Sequence, residues 1–393
     1  MRSAVVVGGG IGGLAAAGAL ARIGWDVTLL ERDARLRPGR AALVLWPNGV
    51  AALRALGLAR GLDAIATPVP PVGIRRPDGQ WLLQPGAAAR LSPVVVHWED
   101  LHDAFIAGLG EKVDIRTGIE VRTARPARDR PAVGDGKNTY EADLVVAADG
   151  ADSVIRKRLA PVSAFVSAGS AAWRAVIPWY RAPELPDGVA VNGETLGVGH
   201  RFVSVSLGER GSSGGSTRGG IYWSATAPGA RRPEPPATQL SLLRRWFAGW
   251  PEPIPSLLAA TEPDDLVHDA VGELRPLPES FTGHGYALIG DAAHAMTHHL
   301  SQGACLALED VAVLQSVLLD AVPGQSLGTA LTEYSRVRRP RIVKVQAQSH
   351  RVASVLQARG RFAVRARDVT LARLSPRLLD KAAAIASQWT PPA

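Results

Sequence analysis

The chain opens on an unbroken apolar run, Ala4-Val5-Val6-Val7, that ends in three glycines. β-Branched residues without alternation predict a strand buried on both faces, as in a parallel sheet. "IGGLAAAGALARIG" then carries small and apolar residues at helical spacing and stops at Gly24, and "DVTLLERD" is a second strand, so the amino terminus reads as a βαβ unit. Residues 52–65 predict a helix, "PVPPVGIRRPDGQWLLQP" a hairpin turning at Asp78-Gly79, and "HWEDLHDAFIAGLG" another glycine-stopped helix. "VDIRTGIEVRTARP" and "YEADLVVAAD" return to strands.

From about residue 163 the pattern changes. "AAWRAVIPWY", "HRFVSVSLG" and "GGIYWSATA" are strands separated by Gly- and Pro-rich loops, which predicts an antiparallel sheet inserted into the α/β portion. "YALIGDAAHA" restores a buried strand, and the remainder is helical. The fold class expected is therefore α/β, a doubly wound, mostly parallel sheet with an inserted antiparallel sheet and carboxy-terminal helices. The expected divisions are 1–162 (with a small hairpin at about 68–95), an insert at 163–272, a return at 273–335 and a helical segment at 336–393. No internal repeat is visible.

Composition narrows the class. The 393 residues, 46% of them hydrophobic, suffice for a deep core of two or three lobes. A single cysteine, Cys305, excludes an intrachain disulfide framework and fits a cytoplasmic protein. The net charge of +8 is mostly arginine spread along the chain, and "RVRRPRIVK" at 336–344 reads as a solvated helix face. Without aromatic clustering, no nucleic-acid partner is expected. The apolar first 24 residues run directly into the βαβ pattern with no mark of a cleavage site, and no stretch predicts a membrane span.

Three motifs carry chemistry. Gly8-x-Gly10-x-x-Gly13 follows a strand and opens a helix, and Glu31 ends the next strand. The first glycine permits the turn, the second lets backbone amides approach a pyrophosphate, and the third packs helix on strand. Glu31 suits the hydroxyls of an adenosine ribose. This fingerprint alone does not separate NAD from FAD. Asp149-Gly150-x-x-Ser153-x-x-Arg156 follows a second buried strand, and Gly290-Asp291 follows a third.

With these motifs, and with "LWPNG" at 45–49, "AWR" at 172–174, the Gln302 to Asp310 segment and "RRPR" at 338–341, the chain closely resembles the group A FAD-dependent monooxygenases of the p-hydroxybenzoate hydroxylase fold. The resemblance implies FAD as cofactor, NADH or NADPH as reductant, and molecular oxygen added at flavin C4a. The resulting hydroperoxide would hydroxylate or epoxidise an aromatic or polycyclic small molecule, and the Arg-, Ala-, Gly- and Pro-rich composition points to bacterial secondary metabolism. It places Gly8, Gly10 and Gly13 on the pyrophosphate, Glu31 on the ribose, Arg32 beside the adenine and Asp291 on the ribityl chain. Asp149, Gly150 and Arg156 would support the pyrophosphate region. Gly290 belongs to the third motif, and the helix starting near Gly303 would aim its amides at the flavin. Trp173, Arg174, His200, Arg201, Tyr222 and Trp223 are candidate substrate contacts from the inserted sheet. A monomer or homodimer is expected.

The chain departs from that family around the isoalloxazine. His298-His299-Leu300-Ser301-Gln302-Gly303 stands where the family reads Pro-x-x-Gly-Gln-Gly, Arg40-Ala41-Ala42 replaces Gly-Ala-Gly, and Trp98 replaces an arginine. In one reading Arg40 supplies the charge lost at 98 and, with Trp98 and Ser301, still contacts FAD. In the other the isoalloxazine half has been rebuilt into a flavin-poor protein, a cyclase or isomerase with His298 or His299 as acid-base groups. His298, His299 and Gln302 are the candidate catalytic residues. His294 and His298 have a metal-pair spacing, but no HExxH pattern accompanies them and no metal is expected.

Overall fold

The computed structural model describes residues 2–37, 39, 41–84, 93–125, 130–209, 218–319, 326–374 and 376–392. Its organising sheet has six strands in the order Thr282–Gly283, Tyr286–Leu288, Leu144–Ala147, Ser3–Val7, Asp26–Glu31, Val113–Thr117. All pair in parallel except the first two, which form an antiparallel edge. Ala4 to Val7 and Leu144 to Ala147 are buried throughout, which explains why their sequences are uniformly apolar. The alanine-rich helix Ile11–Arg22 buries Ala15, Ala16, Ala17 and Ala19, so it packs closely against the helix Gly303–Leu319. The three-stranded sheet Thr123–Arg125, Ala132–Gly134, Thr139–Glu141 is tied to the main sheet by the Tyr286 hydroxyl, 2.7 Å from the Ala132 carbonyl.

The second sheet has seven strands: Val267–Arg275, Ala164–Ile177, Ile221–Pro228, Arg201–Ser206, Gly193–Leu196, Ile74–Arg75 and Trp81–Leu83. The hairpin at Asp78-Gly79 forms as expected but belongs to this sheet, through a parallel pairing of Ile74–Arg75 with Gly193–Leu196. The strand Val267–Arg275 runs past the expected boundary at 272. Two helices absent from the sequence reading, Pro236–Trp246 and Ile254–Ala260, cover one face and enclose Trp173, Phe202, Trp223 and Phe247. The helix expected over 52–65 is instead divided into Pro47–Ala55 and Leu62–Ile65, because Gly57 and Gly61 take φ of +64° and +78°.

The basic run at 336–344 is not a uniformly solvated face. It lies in the 30-residue helix Leu327–Leu356, whose winding turns Arg338 and Arg341 inward at i, i+3. Arg338 is fully buried, with Nε 2.7 Å from Asp310 and Nη1 2.7 Å from Glu309, and Arg341 reaches Glu309 through two 2.7 Å contacts. Burial alone would raise the Asp310 carboxyl pKa, but His294 and Arg338 outweigh it and hold it below the ordinary value. Replacing Arg338 by Met would strand two buried carboxylates. We expect Arg338→Met to lose about 3–5 kcal/mol in urea unfolding, whereas Arg336→Met, on the exposed face, should change stability by no more than about 0.5 kcal/mol.

Candidate active site

The glycine loop shows the division of labour its spacing predicts. Gly8 turns at φ +103°, and a Cβ there would lie 2.4 Å from the Ala148 carbonyl; at Gly13 it would lie 1.8 Å from the Gly8 carbonyl. At Gly10, the N-cap of Ile11–Arg22, an added Cβ meets nothing within 4 Å, so the amide end of the helix is open to a phosphate. Glu31 is held at the strand end, accepting from Gly9 N at 2.7 Å and Asp33 N at 3.0 Å, with Arg32 exposed beside it.

The second motif braces the third. Asp149 accepts from Val154 N at 2.9 Å, and burial raises its pKa, while its other oxygen has no partner. Gly150 turns at φ +78°, and Ser153 caps the helix Val154–Leu159 by accepting from Arg156 N. Arg156 is buried and donates to the carbonyls of Ala151 at 2.6 Å and Ala292 at 3.4 Å. Its guanidinium therefore ties two backbone loops together, a bracing position rather than an open phosphate contact. Gly290 takes φ +56° and donates to Asp310 at 2.9 Å. The next residue, Asp291, faces the cleft, and enclosure by surrounding protein raises its pKa. His294 lies 2.6 Å from Asp310 and is buried, so it serves this network rather than a metal.

The histidine segment is a single turn, His298–Leu300, followed by Ser301 in the left-handed region (φ +51°, ψ +37°) and Gln302. The backbone keeps the conformation that a glycine adopts freely, although this chain carries a serine there. His298 Nε2 is 3.0 Å from the Thr226 hydroxyl, and the Gln357 amide approaches His299 Nε2 at 3.0 Å. The two rings stack at 4.7 Å. Burial, the neighbouring His299 and two arginines, Arg201 and Arg174, push the His298 pKa well below the ordinary value; burial and Arg201 lower His299 to about 3. Both are neutral imidazoles at neutral pH. Gln302 accepts from Asn48 at 2.8 Å, and Asn48 also donates to Glu309, so Gln302 is committed to the loop's support. Gly303 then opens its helix with no atom within 4 Å of an added Cβ.

The inserted sheet divides the six candidate wall residues by its period-two pleat. Arg174 and Tyr222 face the cleft with Thr226, and Arg201 faces it beside them; Arg174 pairs with Asp269, and Arg201 holds Glu194 at 2.7 Å. Their sequence neighbours Trp173 and Trp223 point the other way. Trp173 donates to Gln239 at 2.7 Å and stacks on His268, and Trp223 donates to Thr261 at 2.9 Å. His200 lies edge-on to Trp246 and Phe247 on that same far side. These three residues pack the sheet against its helices instead of lining the cleft. Trp98 begins the helix Trp98–Ala107 with its indole N–H buried and unpartnered; Arg40 lies outside the described residues.

Thr226, Asp269, Gln357, Asn48, Glu309 and Arg338 were not singled out as site residues by the sequence reading. Glu309 and Arg338 left a signal in the Glu309-Asp310 pair and in "RRPR". Asn48 left one in "LWPNG", and Thr226, Asp269 and Gln357 left none. Among the described residues no group of three or more His, Cys, Asp or Glu is placed to hold a metal, and no helix is long and apolar enough to cross a membrane.

Two open helix amino termini, at Gly10 and Gly303, and the Asp291 carboxylate between sheet and cleft fit the phosphates, ring edge and sugar chain of FAD. The fold and site thus define a flavoprotein oxidoreductase. Residues 1–188 and 278–349 match the family described as FAD binding domain, and the chain belongs to the group A FAD-dependent monooxygenases within it. It is 30% identical over 399 residues to aurachin C monooxygenase/isomerase of Stigmatella aurantiaca, covering 98% of both chains. It is also 29% identical over 349 residues to FAD-dependent urate hydroxylase of Klebsiella pneumoniae, covering 86% of both. The structure of Klebsiella pneumoniae HpxO complexed with FAD and uric acid superposes with a TM-score of 0.83 at 24% identity, covering 98% of this chain and 97% of that one. That of 2-methyl-3-hydroxypyridine-5-carboxylic acid oxygenase superposes at 0.75 with 26% identity over the whole of both chains.

Two outcomes follow from the histidine segment. Ser301→Gly should raise stability by about 0.5–1 kcal/mol in urea unfolding by relieving the left-handed serine. His299, with a folded pKa of about 3 against an ordinary 6.5, binds a proton more readily when unfolded. Its contribution is therefore complete above pH 6.5 and is lost as pH falls toward 3. Comparing unfolding at pH 7.5 and pH 5, His299→Asn should lose about 2 kcal/mol less than the unaltered protein.

Proposed function

We propose that this flavoprotein monooxygenase uses NADH or NADPH and molecular oxygen to hydroxylate or epoxidise an aromatic or polycyclic small molecule in the cleft beneath the seven-stranded sheet. The supporting observation is the wall itself. Its two arginines are matched by Asp269 and Glu194, and His298 is neutral, so the wall offers hydrogen bonds with little net charge. Such a surface suits a largely neutral, planar substrate with one polar edge. When bound, FAD would supply the redox chemistry, namely reduction by the nicotinamide hydride and oxygenation of the substrate by one atom of dioxygen, the other leaving as water.

The chain's own residues position and enclose. Gly8, Gly10 and Gly13 would admit the pyrophosphate, Asp291 would hold the sugar chain, and the helix at Gly303 would stabilise negative charge on the reduced ring. Thr226 fixes the His298 ring, leaving its other nitrogen for a substrate N–H, hydroxyl or carbonyl. Arg174 and Tyr222 line the same sheet face as Thr226. Molecular oxygen and the small-molecule substrate are the only partners the reading requires, with the protein acting as a monomer or homodimer.

A second reading, non-redox isomerisation or cyclisation with His298 as acid-base group, is favoured by one feature: His298 occupies the place of the family's proline. The depressed pKa of this imidazole makes it a weak base, which supports the oxygenase. The visible spectrum of the purified protein separates the readings. A yellow protein bleached anaerobically by NADH or NADPH and recoloured by air is expected; a colourless preparation that takes up no added FAD would overturn the oxygenase.

A further inference from the structure

The carboxy-terminal helices concentrate the charge of the whole molecule. Residues 351–381 carry eight arginines and lysines against Asp368 and Asp380, a net +6 in a chain whose total is +8. Within them the helix Arg361–Arg373 has two unlike faces. One is anchored: Arg367 is buried and donates to the Gly197 carbonyl at 2.7 Å, and Leu371 packs with Leu82, Leu196 and Leu356 on the hairpin of the second sheet. The opposite face is free. Phe362 is 92% exposed and Val369 40%, and the helical period sets them on one stripe with Arg373, flanked by Arg361 and Arg365. These three arginines have no acidic partner among the described residues.

We propose that this face docks the enzyme on an anionic lipid surface, the helix lying flat with Phe362 and Val369 in the headgroup boundary and the arginines on lipid phosphates. Exposed arginines around an apolar stripe are the composition of an interfacial helix. A nucleic-acid backbone would reward the arginines but offer nothing to Phe362. A second copy meeting this face across a two-fold axis would set arginine against arginine. The turn after Leu356 ties this face to the cleft. Gln357 reaches both His299 and, at 2.9 Å, Ser170; Gly199 N donates to the Ala358 carbonyl at 2.9 Å, and Arg359 to that of Gly169 at 2.8 Å. Docking therefore sets the rim of the substrate sheet against the lipid, where an apolar substrate is concentrated.

Flotation of the full-length protein with vesicles tests this directly and needs no substrate or turnover, so it stands apart from the oxygenase reading. Binding is expected to phosphatidylcholine vesicles containing roughly a third phosphatidylglycerol, with release at high salt and little binding to phosphatidylcholine alone. Arg361→Glu and Arg365→Glu should each weaken partitioning by roughly fivefold or more, and Phe362→Ser should weaken it with no change in melting temperature. Absence of binding to the anionic vesicles would overturn the proposal, as would binding indifferent to all three substitutions. So would retention of this face by duplex DNA in place of lipid, or a dimer in light scattering that Phe362→Ser dissolves.

Discussion

The buried ion network around Arg338 is the constraint on which the cofactor side of the molecule rests. Glu309 and Asp310 are adjacent on the helix Gly303–Leu319, yet they reach in different directions. Asp310 holds Gly290 N and His294, fixing the loop that carries Asp291; Glu309 holds Asn48, which in turn holds Gln302 beside the histidine turn. Arg338 joins the two carboxylates from the long helix. A charge removed from water must have partners at good geometry, and that requirement transmits position from one helix to both cleft loops. The loop at His298 to Ser301 is then clamped at both ends, by Thr226 and by Asn48. That accounts for a serine keeping a backbone conformation natural to glycine: the surroundings impose it.

The same clamping reconciles the altered residues with the family's chemistry. The proline and glycine expected at 298 and 301 act on backbone shape, and here the shape is held by side-chain contacts instead. What changes is the surface presented to the cleft. The His298 imidazole stays uncharged because it is buried beside two arginines.

How legible this was depended on whether a residue's role leaves a local mark. Gly8, Gly10 and Gly13 each answer a different backbone demand at fixed spacing, so the loop and the βαβ unit were readable from sequence. The inserted sheet was readable as strands, but not its faces. Trp173 beside Arg174 and Tyr222 beside Trp223 alternate identically whichever side is covered, and the two covering helices were not anticipated. Arg338 was obscured by its own neighbours, because a run of arginines reads as solvated until a Glu309-Asp310 pair is set against it. Thr226 and Gln357 act only through residues far away in the chain, and nothing at their own positions announces that.

The seven-stranded sheet takes its last two strands from the hairpin at 74–83, about 80 residues before the insert begins. The substrate lobe is thus not a cassette that can be lifted out at residues 163 and 272. Exchanging it with that of a relative to transplant specificity would leave Ile74–Arg75 and Gly193–Leu196 with mismatched partners. A chimera that respects the fold must carry the hairpin along with the insert, and must also carry the helix Arg361–Arg373 that packs on it. Modularity in this architecture belongs to the surface it presents, while the chain that builds that surface is threaded three times through the whole molecule.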